Sequence, residues 1–234
     1  VCMEALKNVK WPQGYDVQAF TLDAAKPYAA QINEILTETD AKYKVYINDE
    51  MCVVHPQAIE EMLTIFQDES VGMVGILGSQ SLPVNGNLME SPYKRGAVYV
   101  PSEEDFSALR FGDATGEAAD VRGLLPSFFA TQRDVPWDEA YEKQYYAVLD
   151  HCRAMEDAGV RVVVSLPENI WCACQMKSIS FDADEVDRKK FLGKYHAYLD
   201  GTEPKKISML YACGEGSEVC SWQDFSHPEG IAVG

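Results

Sequence analysis

Residues 43–56, YKVYINDEMCVVHP, decide how the chain folds. Tyr43, Val45 and Ile47 alternate with Lys44 and Tyr46, the period-two pattern of a strand with one wetter face. The strand runs straight into Asn48, Asp49 and Glu50. The next segment, 56–67, sets Ala58, Ile59, Met62, Leu63 and Phe66 on one helical face. An acidic pair at the carboxyl end of an α/β strand stands where such sheets bind ligands. Two carboxylates there can hold a divalent cation, which in turn can hold a diphosphate. Spacing alone favours a plainer reading, a solvated acidic turn.

Outward from this stretch, helices and strands keep alternating. A short helix with Met3 and Leu6 leads to the turn Trp11-Pro12-Gln13-Gly14, then a strand over 16–22 and a helix over 27–38 with Tyr28, Ile32, Ile35 and Leu36 inward. Residues 71–77 form a continuous apolar run suited to a buried central strand. Over 78–120 the pattern weakens: Pro83, Asn85-Gly86, Pro92, Gly96, Pro101, Gly112 and Gly116 punctuate it, and only 97–100 reads as strand. Apolar character returns over 124–131. Asp138 is placed to cap a helix through Asp157 whose inner stripe is Tyr141, Tyr145, Val148, Leu149, Cys152 and Met155. Gly159 ends it, and 160–165 is another buried strand. A charged helix over 184–199 turns Phe191, Leu192, Tyr195 and Tyr198 inward, and 206–212 closes as a further strand. The order predicts an α/β fold with a mainly parallel sheet and helices on both faces. Its centre would hold 17–22, 43–47, 71–77 and 160–164.

Charge narrows the partners. A formal net charge of −17 over 234 residues argues against nucleic acid and against a polybasic contact with anionic lipid. A phosphorylated ligand would need a cation, Mn²⁺ or Mg²⁺, between it and this surface. No apolar run approaches the ~20 residues of a transmembrane segment, and Glu4 and Lys7 interrupt the only apolar start. The seven cysteines, Cys2, Cys52, Cys152, Cys172, Cys174, Cys213 and Cys220, contain no C-x-x-C pair. Buried reduced thiols and a cytoplasmic location are expected.

Three blocks carry a family resemblance. They are AKYKVYINDEMCVVHP at 41–56, continuing into SVGMVGILGS at 70–79; ATQRDVPW at 130–137; and AGVRVVVSLPENIWC at 158–172. In this order and spacing the chain resembles the StrF-related branch of the family-two-like GT-A glycosyltransferases. The likeness spans most of 1–200. It implies a sheet-centred fold that binds a nucleotide-diphosphate sugar and moves the sugar to an acceptor hydroxyl. An inverting member uses a carboxylate base on the acceptor and a cation on the departing diphosphate. Where relatives carry His-Gln-Asp this chain has Asn48-Asp49-Glu50; their Asp-Gly falls at Leu125-Pro126 and their Trp-Cys-x-His at Trp171-Cys172-Ala173-Cys174. The helix aspartate falls at Val148, with Asp150 two residues on, a rotation of about 200°. Relatives open with a strand that this chain lacks at its start. KISMLYAC at 206–213, followed by Gly214-Glu215-Gly216, resembles it at the other end, as a permuted or swapped strand or the start of a second copy. An unrelated edge strand is the plainer alternative.

The resemblance implies a GT-A-like domain over 1–200 and a strand and tail over 201–234. Asp49 and Glu50 would hold the metal, Asp49, Gly214 and Gly216 the nucleotide sugar, and Asp138, Glu139 or Asp150 would supply the base. The acceptor would be a sugar or small molecule. Asp138 and Glu139 also suit a plain helix-start role, as cap and first-turn acid. A rival class is a domain that keeps the fold, has lost the chemistry, and binds carbohydrate or a protein partner.

Overall fold

The computed structural model describes residues 6, 9–102, 105–112, 116–174 and 184–199. Among the described residues four helices and eleven strands follow in this order: α1 (Tyr28–Glu38), β1 (Lys44–Ile47), β2 (Met51–Val53), α2 (Ala58–Ile65), β3 (Val71–Gly75), β4 (Leu77–Ser79), β5 (Lys94–Pro101), β6 (Phe106–Phe111), β7 (Ala118–Asp120), β8 (Gly123–Leu124), β9 (Phe128–Thr131), α3 (Gln144–Asp157), β10 (Arg161–Ser165), β11 (Cys172–Cys174) and α4 (Glu185–Tyr195). The strands form two sheets. One has the order β1-β9-β3-β10-β7; the other is β2-β11-β5-β4-β8, with β6 on β5.

The long apolar runs explain why there are two sheets. Each run bends from one sheet into the other. β3 leaves the first sheet at Ile76 and continues as β4 in the second, while β8 and β9 make the same crossing through Leu125–Ser127 in the opposite direction. The two runs pair antiparallel along their whole length, with Gly75 opposite Phe129 and Gly78 opposite Leu124. Bonds from Ile76 N to Phe128 O (3.2 Å) and Leu125 N to Leu77 O (2.9 Å) carry the ladder across the bend. β5, wholly in the second sheet, comes against this bend, with Ala97 N donating to Ile76 O (3.1 Å). Gly96 adopts φ +112° there, and a Cβ would overlap the Ile76 carbonyl oxygen, so only glycine fits.

Every residue of β3 is buried, as befits a central strand covered on both faces. α3 packs on β3, β8 and β10, and α2 packs on β3. α3 ends at Gly159 (φ +79°), where Val160 N reaches Met155 O and Gly159 N reaches Glu156 O, closing the last turn. On the inner side of α3, Tyr145, Val148, Leu149, Cys152 and Met155 are buried as their spacing predicts.

Four expectations need correction. The sheets are mixed: only β3/β10 and β5/β11 are parallel, because β9 returns antiparallel between β1 and β3. A sheet run predicted from alternating helices misses β9, which follows β8 without a helix between. Residues 16–22 form no strand, and Val17 and Phe20 are exposed. β5 and β6 are a regular antiparallel pair, in register from Gly96 opposite Phe111 to Pro101 opposite Phe106, where the sequence offered strand only over 97–100. The helix expected from Asp138 begins at Gln144 instead, and its head is capped from another helix: Asp187 Oδ2 accepts from Glu142 N (3.0 Å) and Lys143 N (2.8 Å). Met3, the strand expected over 206–212, Gly214 and Gly216 lie outside the described residues. Among the described residues no helix is long and apolar enough to cross a membrane.

Candidate functional site

The acidic turn Asn48–Glu50 sits where the first sheet hands over to the second. β1 belongs to one, β2 to the other, and the turn is the hinge of that step. Asn48 fixes it. Its Oδ1 accepts from Glu50 N (2.9 Å), its carbonyl accepts from Met51 N (2.9 Å), and its own N donates to Ser127 O (2.9 Å). Its Nδ2 donates to Gln144 Oε1 (3.0 Å), the first residue of α3. One asparagine thus ties the acid turn to the β8–β9 bend and to the head of α3. Asp49 is exposed and Glu50 half-buried.

The second sheet brings β11 alongside. Cys174 lies opposite Met51, Ala173 opposite Cys52 and Cys172 opposite Val53. Cys174 therefore closes the ladder next to Glu50, and its thiol is buried. Below it, Glu61 of α2 accepts from Trp171 Nε1 (2.6 Å) and meets His55 Nε2 (3.0 Å), anchoring α2 to the approach of β11. Four stretches far apart in sequence meet here: 48–50, 125–127, 144 and 172–174.

Two of the three candidate bases, Asp138 and Asp150, are joined in a different arrangement. Asp150, on α3, is 3 % exposed and accepts from Lys194 Nζ and from the Tyr195 hydroxyl, both at 2.7 Å. Lys194 also donates to Asp138 Oδ2 at 2.7 Å, so one ammonium joins both aspartates and pins α4 to α3. The Lys194 bond, with a backbone bond from Ala140, holds the Asp138 carboxyl below the usual range. Burial works against the Lys194 charge, yet its two aspartates outweigh it and raise its pKa. Glu139 stands apart from this lysine and accepts from Asn33 Nδ2 of α1 at 2.9 Å. Next to Asp150 on α3, His151 stacks on Trp137 (3.9 Å between centroids, 6° between planes), and burial pushes it down to about 3.

The structure thus brings Asp49 and Glu50 together with Cys174, and joins Asp138 to Asp150. A groove of about 590 Å³ lies elsewhere, walled by Glu61, Thr64, Arg110, Glu117, Glu168 and Trp171. Asp49 and Glu50 are not among its walls. Sequence reasoning passed over Ser127, which acts through its carbonyl and leaves no signal in side-chain chemistry. It also passed over Gln144, which it placed inside a helix. Asn48 carried a readable signal, an asparagine ending a strand two residues before an amide it can cap.

A family model described as a glycosyltransferase-like family matches residues 1–195 of the 234, and the chain belongs to that family. No curated protein matches it. Membership supports glycosyltransferase activity in general, with a sugar donor and an acceptor.

Proposed function

We propose that this member of the glycosyltransferase-like family moves a sugar from a nucleotide-diphosphate sugar to an acceptor hydroxyl, with inversion, and that it sits in the StrF-related branch. The observation that carries the reading is the acidic turn at the line where the two sheets part, framed by Asn48, Ser127, Gln144 and Cys174. Sheets of this kind place ligands at such a line.

A divalent metal, Mn²⁺ or Mg²⁺, suits the donor set. Among the described residues no three His, Cys, Asp or Glu side chains form a cage of their own. One or two carboxylates completed by substrate phosphates is the arrangement small hard cations accept. When bound, the metal would neutralise charge developing on the departing diphosphate. Asp49 and Glu50 are the residues proposed to hold it, and Asn48 fixes the backbone from which they project. Gly214 and Gly216 are proposed to let backbone approach the diphosphate. Of the three candidate bases, Glu139 is the one not engaged by Lys194, and the acceptor proton is assigned to it. Asp138 and Asp150 hold α4 in place. A cytoplasmic setting is proposed because Cys52, Cys152, Cys172 and Cys174 are buried, as reduced core thiols are.

A second reading has one observation in its favour. Lys194 and Tyr195 engage the buried Asp150 as a fold clamp, which suits a domain that binds carbohydrate or a protein partner without chemistry. Release of nucleoside diphosphate from a panel of nucleotide-diphosphate sugars, with Mn²⁺ and acceptor sugars present, separates the two. Turnover that Glu139→Gln removes supports the transferase. Tight binding of a nucleotide sugar or an oligosaccharide with no diphosphate release supports the binder.

A further inference from the structure

The groove of about 590 Å³ takes no part in the arrangement proposed above, and its volume falls among those of small-molecule sites, roughly 300–1,000 Å³. Its shape is set by the loop from β10 to β11, which is fastened along its length. Leu166 N donates to Glu117 O (2.9 Å), and the Arg110 fork donates to the carbonyls of Pro167 (3.4 Å) and Glu168 (3.0 Å). At the far end Trp171 O accepts from Val54 N (2.8 Å) and His55 N (3.2 Å). The opposite wall is α2, tied to the loop by the bond from Trp171 Nε1 to Glu61 Oε2. A groove held in this way is formed before a ligand arrives, so binding does not have to order it.

Its lining is of two kinds. Ile65, Leu166, Pro167 and Trp171 make apolar walls, whereas Glu61, Glu117 and Glu168 set three carboxylates against the guanidinium of Arg110. Glu61 is held in position: His55 Nε2 meets one oxygen (3.0 Å) and the Trp171 indole the other (2.6 Å), yet its side chain stays 39 % exposed. Glu117 and Glu168 are exposed, and neither carboxylate bonds or ion-pairs with another described residue. The three do not converge as metal ligands, since among the described residues no three His, Cys, Asp or Glu side chains do. Negative charge is therefore spread around apolar walls. That pattern fits a cation whose charges are spaced by methylenes, with each ammonium on a carboxylate and the chain between them against the half-buried Leu166 and Pro167.

We propose that this groove is a binding site for a linear aliphatic polyamine, separate from the acidic turn Asn48–Glu50. The formal net charge of −17 draws such a ligand toward the surface, and Glu61, Glu117 and Glu168 retain it in the groove. The site stands whether or not the chain transfers a sugar.

Calorimetric titration of the full chain with spermidine tests it, at about 0.15 M salt, where attraction between distant exposed charges is screened. Saturable binding is expected. Glu117→Gln combined with Glu168→Gln leaves the fastenings of the loop in place and should weaken that binding at least about tenfold. Two controls locate the site. Glu34→Gln with Glu38→Gln, an equal change of charge on α1, and Glu50→Gln at the acidic turn should each stay within about twofold of the parent. Equimolar Mg²⁺ should not displace spermidine, because a hard ion gains nothing from apolar walls. The proposal is overturned by an absence of saturable binding in the parent or by unchanged affinity in the Glu117 and Glu168 double variant. Equal weakening in either control, or displacement by equimolar Mg²⁺, overturns it as well.

Discussion

The molecule holds two groups of carboxylates that look alike in sequence and differ in physical role. Asp138 and Asp150 are bridged by one lysine, and Asp150 is buried with a tyrosine hydroxyl on it as well. Asp49 and Glu50 project from a turn whose shape is set by the side chain of Asn48. A buried acid bridged by a lysine holds elements together, whereas the acids at a solvent-facing turn are the ones we propose to meet a ligand. On that proposal, position in the fold, not acidity, separates structure from function.

The sharpest way to break that contrast is to remove the lysine. Lys194→Met leaves the Asp150 carboxylate buried with only tyrosine hydroxyls, those of Tyr195 and Tyr141, in support. Since Lys194 is itself partly exposed, the cost is about 2 kcal/mol rather than that of a fully buried pair. For a chain of this size that lowers the melting temperature by roughly 4–8 °C. Adding Asp150→Asn to Lys194→Met should recover a large part of the loss, because the stranded charge is gone. A Lys194→Met melt indistinguishable from the parent would remove the clamp from the account.

Acid should weaken the same helix from its other side. Burial lowers His151 to about 3, so the folded state resists a proton that the unfolded chain binds from about pH 6.5 downward. Its contribution is complete above pH 6.5 and is lost as pH falls toward 3. Between pH 7 and pH 5 the loss is about 2 kcal/mol. Denaturant melts at the two pH values should show it, and His151→Phe should flatten the slope if the stack on Trp137 is kept.

Asp187→Ala tests how far the clamp extends, because Asp187 caps the head of α3 from α4. The expected cost is about 1–2 kcal/mol, measured by chemical denaturation. A cost well below 1 kcal/mol would show that the α3 head is held by packing alone. Asn48→Ala sharpens the other half of the comparison. Losing the bonds to Glu50 N and Gln144 costs about 1 kcal/mol and loosens the turn. Ligand binding should suffer more than stability does; equal or smaller loss in binding would detach Asn48 from the site.

Much of this contrast could be read before the structure, and the unread part has a physical reason. Apolar periodicity found α1, α2, β3, β10 and the inner stripe of α3, since burial on a helix or central strand leaves a repeating mark. It missed β9's direction and the β5–β6 pair, where glycines and prolines suggested irregularity while the backbone was forming ladders. It joined Asp138 to the helix that starts at Gln144 because capping from another helix leaves no local trace. The acid turn was legible in Asn48, Asp49 and Glu50. The partners that frame it were not, because Ser127 and Gln144 matter only through long-range contacts. Asp150 looked like a catalytic candidate because sequence shows a carboxylate and hides the lysine and tyrosine folded onto it from 44 and 45 positions away.

The most direct test of the contrast is Mn²⁺-dependent affinity for a nucleotide-diphosphate sugar, measured by calorimetry in the parent, Glu50→Gln and Lys194→Met, with melting temperatures alongside. The account predicts opposite outcomes. Glu50→Gln keeps the parent melting temperature, with stability changed by no more than about 0.5 kcal/mol, and loses at least about tenfold in the Mn²⁺-dependent affinity. Lys194→Met melts lower and keeps that affinity at temperatures where it is folded. Undiminished Mn²⁺-dependent binding in Glu50→Gln, together with its loss in folded Lys194→Met, would contradict the assignment and move the ligand site to the helices.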